Sequence, residues 1–240
     1  RRAMGVDWAQ APDDTAAPVI EQCNSPEHLD VHGQTCNHLH LLALHEEHGT
    51  QYPQQTDRLV EYAKMWKVTR TCDDATGEGS PNNQYLTERL RGISEVEGLK
   101  LTTVSNDDIC SLFAREWHLK RLWLPKPEQF DQAPYVQLYT EQERTVQKRL
   151  LKKLTTQLLD LEREYKAGKM NLHHPEGASY HDDHAKGLMY AVYATVRLAT
   201  SPPTAAYATI DTRPQAPTEQ DRVKEMVKQM QKPFSMWGEV

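Results

Sequence analysis

With 240 residues, 38% hydrophobic and 26% charged, the chain suits one large domain or two small ones with a self-sufficient core. A net charge of −6 excludes a blanket electrostatic grip on nucleic acid and leaves only local basic patches. Four scattered cysteines exclude a disulfide scaffold, and no apolar run reaches the ~20 residues of a membrane span. The opening "RRAMGVDWAQ" has neither an initiator Met nor a signal-peptide pattern, as expected of a soluble, intracellular piece of a longer protein that is not secreted.

In chain order, "AMGVDW" (3–8) reads as a buried strand and "DDTAAPVI" (13–20) as its partner across a turn holding Pro12. Residues 21–37 are polar and loop-like. "HLHLLALHEEHG" (38–49) alternates as a third strand. "PQQTDRLVEYAKMW" (53–66) is predicted helical, with Leu59, Tyr62, Ala63 and Trp66 on one face. "KVTRTCDD" (67–74) is a fourth strand, followed by the turn "ATGEG" and a helix over 84–92. A fifth strand is expected at 99–105, then a helix capped by Asn106 or Asp107 and an extended piece at 121–125. The strongest helical period runs over 141–167 through Val146, Leu150, Leu154, Leu158, Leu161 and Tyr165. A short strand at 169–175 precedes a last apolar helix opening at "SYHDDHAKG". Residues 1–200 are thus expected to form one domain. Residues 201–240 read as a Pro-rich mobile tail with an amphipathic piece at 221–231. No internal repeat is evident. Three early strands followed by alternating helices and strands predict an α/β domain on a mixed sheet, with an antiparallel meander at one side and parallel strands at the other.

Acids mark the ends of these elements. Asp7 closes the first strand, Asp73 and Asp74 close the fourth, and Asp182 and Asp183 open the last helix. Each has an ordinary reading as a strand-end, turn or N-cap residue. Neighbouring strands of an α/β sheet bring their carboxyl ends together, however, and acids meeting there make sense around a cation. Oxygen ligands favour Mg²⁺ or Mn²⁺ over zinc, and two such ions suit phosphodiester hydrolysis.

"MGVDWAQAPDDTA", "RTCDDATGEG" and "KMNLHHPEGASYHDDHAKGLMYAVYA" resemble the three acidic motifs of the nuclease domain of large terminase subunits, the DNA-packaging motors of tailed bacteriophages and related archaeal viruses. The match runs over about residues 3–199, includes "KLTTQLLDLEREY", and is most specific at His-Asp-Asp before an Ala-rich helix. The resemblance implies a ribonuclease-H-like fold and a divalent-metal endonuclease that cleaves concatemeric double-stranded DNA at the start and end of packaging. By motif position Asp7, Asp74 and Asp183 are the expected catalytic metal ligands, Asp182 a further ligand or helix cap, His181 an outer group and Asp73 an auxiliary acid. Asp74 is preferred over Asp73 because it precedes Ala-Thr-Gly; the order within 182–183 stays open. Implied partners are double-stranded DNA, the terminase ATPase domain, the small terminase subunit and the portal, in the host cytoplasm at the procapsid. The isolated domain is expected to be a monomer. No Gly-rich loop ending in Gly-Lys-Ser/Thr occurs, so the chain itself is expected neither to hydrolyse ATP nor to translocate DNA.

Cys23, His28, His32 and Cys36 offer four ligands of the kind that hold a structural Zn²⁺, but their spacing matches no standard zinc signature and a solvated His-rich loop is the favoured reading. Arg144, Lys148 and Lys152 on the 141–167 helix, and Lys120 with Arg121, are candidate phosphate contacts, against the alternative of solvated faces. Two other functions compete: another ribonuclease-H-like phosphodiesterase of resolvase or transposase type, and a non-catalytic DNA-binding or docking module whose acids only cap and turn.

Overall fold

The computed structural model describes residues 1–9, 14–23, 37–77, 79–133, 135–175 and 182–197. Its centre is a six-stranded sheet in the order β7-β6-β1-β3-β4-β8. The strands are β1 (Arg2–Val6), β3 (Val19–Cys23), β4 (His38–Ala43), β6 (Arg70–Asp74), β7 (Glu95–Leu99) and β8 (Leu122–Trp123). β1, β3 and β4 form the antiparallel part, β6 and β7 continue it in parallel beyond β1, and β8 runs parallel to β4 at the other edge. The mixed sheet, flanked by helices, is the expected fold class.

The second and third predicted strands each divide. Pro18 lacks an N–H, and after β2 (Asp14–Ala16) the chain crosses at Ala17 to re-enter the main sheet as β3. Beyond β4 the chain crosses Ala17 again, where Ala17 and His45 exchange backbone hydrogen bonds at 2.9 and 3.2 Å. β5 (Glu46–His48) then pairs with β2 in a small separate sheet. Alternation in sequence shows that the chain is extended, not which sheet it joins.

Of the helices, α1 (Tyr52–Met65) starts one residue before Pro53, which stands in its first turn as expected, and buries Leu59, Val60, Tyr62 and Ala63. α2 (Gly79–Arg89) begins earlier than predicted and packs on α1 and β7. The strand expected at 99–105 is overturned. β7 precedes it, and Thr102 begins α3 (Thr103–His118) through a capping box with Ser105, so neither Asn106 nor Asp107 is the cap. The helix expected to reach 167 also stops early: α4 (Glu141–Leu159) ends at Asp160 and gives way to a hairpin of β9 (Glu162–Lys166) and β10 (Lys169–His173). Ala167 and Gly168 both have positive φ, 51° and 77°, which is the two-residue turn that suits a hairpin's twist. Leu161 and Tyr165 merely continued the apolar period by chance.

α5 (Asp183–Val196) is the buried helix of the fold and lies directly on β1. A Cβ on Gly5 would stand 1.9 Å from the Gly187 oxygen and 2.4 Å from the Ala191 nitrogen, so only glycine admits this approach. α3 packs beside α5 and carries the β9–β10 hairpin: Asp107 Oδ1 accepts from Met170 N at 2.7 Å, and Asn106 Nδ2 donates to Asn171 at 2.8 Å. Among the described residues no helix is long and apolar enough to cross a membrane. His28, His32, Cys36, His181 and the segment 201–240 lie outside the described residues.

Candidate metal centre

The parallel register of β1 and β6 sets Val6 opposite Asp73, and one step further Asp7 and Asp74 leave the carboxyl ends of the two strands side by side. Asp7 is held by two backbone bonds with Ala16, at 3.0 and 3.1 Å. The segment after it is tied down by Thr15, whose Oγ1 accepts from Ala9 N at 2.9 Å. Asp74 Oδ1 accepts from the Thr76 backbone N–H at 2.7 Å, and Thr76 Oγ1 accepts from Leu101 N at 2.8 Å. The Asp-Ala-Thr-Gly sequence is therefore a self-braced turn, completed by Gly77 at φ 55°.

α5 brings the third contribution by crossing β1 at Gly5. Asp182 occupies the N-cap position but makes no capping bond; its Oδ1 instead accepts from Lys186 Nζ at 2.8 Å. Asp183 is the first helical residue and is buried. Asp7, Asp74, Asp182, Lys186 and Tyr190 line one cavity of about 480 Å³. Its other wall is the start of α3, with Thr102, Thr103 and Asn106, together with Lys169, Asn171 and His173 of the hairpin.

Electrostatics bind the group together. Burial pushes the Asp7 carboxyl well above its usual range; Lys186 opposes this, while the charges of Asp183, Asp182 and Asp74 add to it. Burial would lower the Lys186 ammonium, but Asp7, Asp182 and Asp183 outweigh that and raise it. Three carboxyl groups thus act on one ammonium, with Asp74 beside Asp7 as a fourth acid. Among the described residues no three His, Cys, Asp or Glu side chains already converge on a metal-sized point. The donor set nonetheless fits a hard divalent cation, since carboxylate oxygens predominate and charge is under-compensated.

Asp73 has a different fate from Asp74. It is fully buried, with Trp8 Nε1 donating to Oδ2 and Asn83 Nδ2 to Oδ1, both at 2.7 Å. Burial pushes its carboxyl up to about 6, against the pull of those two donors. Gly98 makes this possible, because a Cβ there would meet the Asn83 amide at 2.6 Å. Asp73 therefore braces the residues after Asp7 and before Asp74 and does not line the cavity.

The candidate phosphate contacts are not brought to this place. Lys148 pairs with Asp131, Arg144 Nε donates to Tyr139 O at 3.2 Å, and Lys152 is exposed on α4. Arg121 stands 3.8 Å from Glu116, and with Lys120 it follows the far end of α3, ~24 Å along the helix from the cavity. Cys23 ends β3 as a free thiol. Sequence reasoning missed Lys186, whose signal is the Asp-x-x-x-Lys spacing that places ammonium and acid on one helix face.

No family model matches the chain, and no curated protein does. Solved structures do match. The nuclease domain of the large terminase subunit gp2 of bacterial virus Sf6 is 12% identical over 80% of this chain and 87% of its own, with a TM-score of 0.50. A point mutant of that domain with manganese and beta-thujaplicinol gives 0.55 at 13% identity over the same shares. The large terminase nuclease of thermophilic phage G20c is 13% identical over 80% of each chain, with a TM-score of 0.51. The chain has the fold of the large terminase nucleases. The identities are low enough that this likeness speaks for the architecture alone; the chemistry has to come from the cavity.

Proposed function

We propose that this chain is a divalent-metal-dependent DNA endonuclease, the nuclease part of a large terminase that cleaves concatemeric double-stranded viral DNA during genome packaging. One observation carries the reading: Asp7, Asp74 and Asp182, from three distant segments, line a single cavity at the carboxyl ends of parallel strands, with buried Asp183 adjoining. The terminase nuclease of phage G20c has been solved with bound magnesium and the Sf6 domain with manganese, which is consistent with Mg²⁺ or Mn²⁺ here. Asp7, Asp74, Asp182 and Asp183 would hold the ions, and bound ions would supply the Lewis acidity for hydrolysing a phosphodiester.

The chain's own groups do the rest. Thr76 holds one oxygen of Asp74, so that carboxylate meets its ligand pre-oriented. Lys186 pairs with Asp182 and offsets part of the charge that the neighbouring acids share. Thr102, Thr103 and the N-terminus of α3 offer donors and a positive dipole end to a phosphate, and Lys169 adds charge on the hairpin side. None of these groups reads a base, so the cleft suits backbone recognition without sequence preference. The partners are double-stranded DNA and, in the assembled motor, the ATPase domain, small subunit and portal, in the host cytoplasm.

The test is digestion of supercoiled plasmid with Mg²⁺ or Mn²⁺, for wild type and for Asp7→Asn, Asp74→Asn, Asp182→Asn and Asp183→Asn. Metal-dependent nicking and linearisation that fall at least about 100-fold in Asp7→Asn and Asp74→Asn support the reading. Cleavage preserved in Asp74→Asn overturns the site, and selective cutting of four-way junctions over linear duplex points to a resolvase.

A further inference from the structure

Asp7 and Asp183 stand on elements that pack directly at Gly5 but share no backbone pairing, and a second connection also joins them. Ala16 supplies its first half. On one edge it exchanges both backbone hydrogen bonds with Asp7, and on the other it stands opposite Glu46 in the β2–β5 ladder. Glu46 Oε1 then accepts from His184 Nε2 at 2.9 Å, and His184 follows Asp183 in the chain. The path Asp7–Ala16–Glu46–His184–Asp183 leads from one acid to the other through a single small ladder.

Both ends of this link are firmly held. His184 is 0% exposed, and its Nδ1 has no hydrogen-bond partner among the described residues, so the ring's polar contact is with Glu46. Glu46 Oε1 also receives Lys153 Nζ at 2.6 Å, and Oε2 receives Arg149 at 3.1 Å. Lys153 bridges onward to Asp14 at 2.5 Å, and Asp14 takes His48 at 2.8 Å. Successive residues of a helix differ in direction by about 100°. His184 therefore points away from the direction of Asp183, and holding it fixes the rotation of the helix's first turn. An apolar residue could fill the same buried volume without a preferred direction; a hydrogen-bonded imidazole sets one.

We propose that His184 is a positioning residue and Glu46 its anchor: the pair sets the rotation of the first turn of α5, so that Asp182 and Asp183 face Asp7 and Asp74. The assignment rests on the reading of these acids as cation ligands. Residues that orient metal ligands from behind change metal affinity about 10–100-fold when lost, while leaving the ligands in place.

The experiment titrates Mn²⁺ into the full chain by calorimetry and follows plasmid cleavage at each Mn²⁺ concentration. His184→Leu removes the bond, His184→Gln keeps an N–H that reaches Glu46, and Tyr135→Phe is the control. The buried Tyr135 hydroxyl donates to Leu41 O in β4 at 2.9 Å and lies on none of α4, α5 and β5, so its loss lowers stability without touching this link. Half-saturating Mn²⁺ should rise about 10-fold or more in His184→Leu, with maximal cleavage recovered at high Mn²⁺. His184→Gln should stay near wild type and Tyr135→Phe should keep the wild-type Mn²⁺ dependence. Wild-type Mn²⁺ affinity in His184→Leu, or an equal shift in Tyr135→Phe, overturns it. Should His184→Leu fail to fold, unchanged half-saturation in folded Glu46→Ala, which removes the acceptor of His184, overturns it equally. A wild type that binds no Mn²⁺ refutes the nuclease reading itself and this assignment with it; binding that His184→Leu retains in full refutes this assignment alone.

Discussion

A carboxyl group that sees no water and accepts from an indole and an amide, as Asp73 does, titrates differently in the folded and unfolded chain. Its folded value of about 6 lies above the ordinary 3.8. Between these values the folded state takes up the proton and the unfolded state does not. The stabilisation is therefore complete below about pH 4 and is lost as pH rises through 6. Urea unfolding of metal-free wild type and Asp73→Asn should show the difference shifting by about 2 kcal/mol in favour of wild type between pH 7 and pH 4.5. A pH-independent difference would contradict this environment for Asp73. Lys186 makes a second prediction. Lys186→Met leaves Asp7, Asp182 and Asp183 without their ammonium, so the metal-free melting temperature at pH 7 should fall. Saturating Mn²⁺ should then raise the variant's melting temperature more than the wild type's; equal shifts would show that the ammonium and the cation do not share a place.

At the scale of elements, the contact between α5 and β1 is the joint on which the centre depends. Gly5→Ala sets a methyl against the backbone of Gly187 and Ala191, neither of which can yield like a side chain. The expected loss is about 3 kcal/mol or more, or failure to fold, read by urea unfolding. Gly187→Ala meets Pro18 Cδ at 2.8 Å and should be the milder of the two. The elements that sequence made legible are those with one dominant signal: α1 with its proline start and apolar face, β1, β6 and α5. Those it obscured were decided by short-range chemistry or by distant partners. Thr102 and Ser105 turned an expected strand into the start of α3, and the Ala167–Gly168 turn cut the α4 period short. The division of 38–49 into β4 and β5 depends on Ala17, which no local pattern in that stretch announces.

For the molecule as a whole, the sheet order places two acids on neighbouring parallel strands, and one buried helix delivers the others. That much of the candidate site was readable, because acids at strand ends and before an apolar helix are locally conspicuous. The supports were not. Glu46 and His184 are 138 positions apart, and Trp8 and Asp73 are 65 apart, so only the folded chain shows them together. On the proposed nuclease reading, an overall charge of −6 leaves attraction for DNA to the cleft itself and to whatever else holds the domain there. The proposed function requires that the acids form a cation site, and one measurement addresses that directly: calorimetric titration of Mn²⁺ into wild type and Asp74→Asn at pH 7. Asparagine keeps the Thr76 brace and removes only the charge. Wild type should bind, and Asp74→Asn should bind at least about 10-fold more weakly; equal binding by the two, or none by wild type, would rule out the cation site.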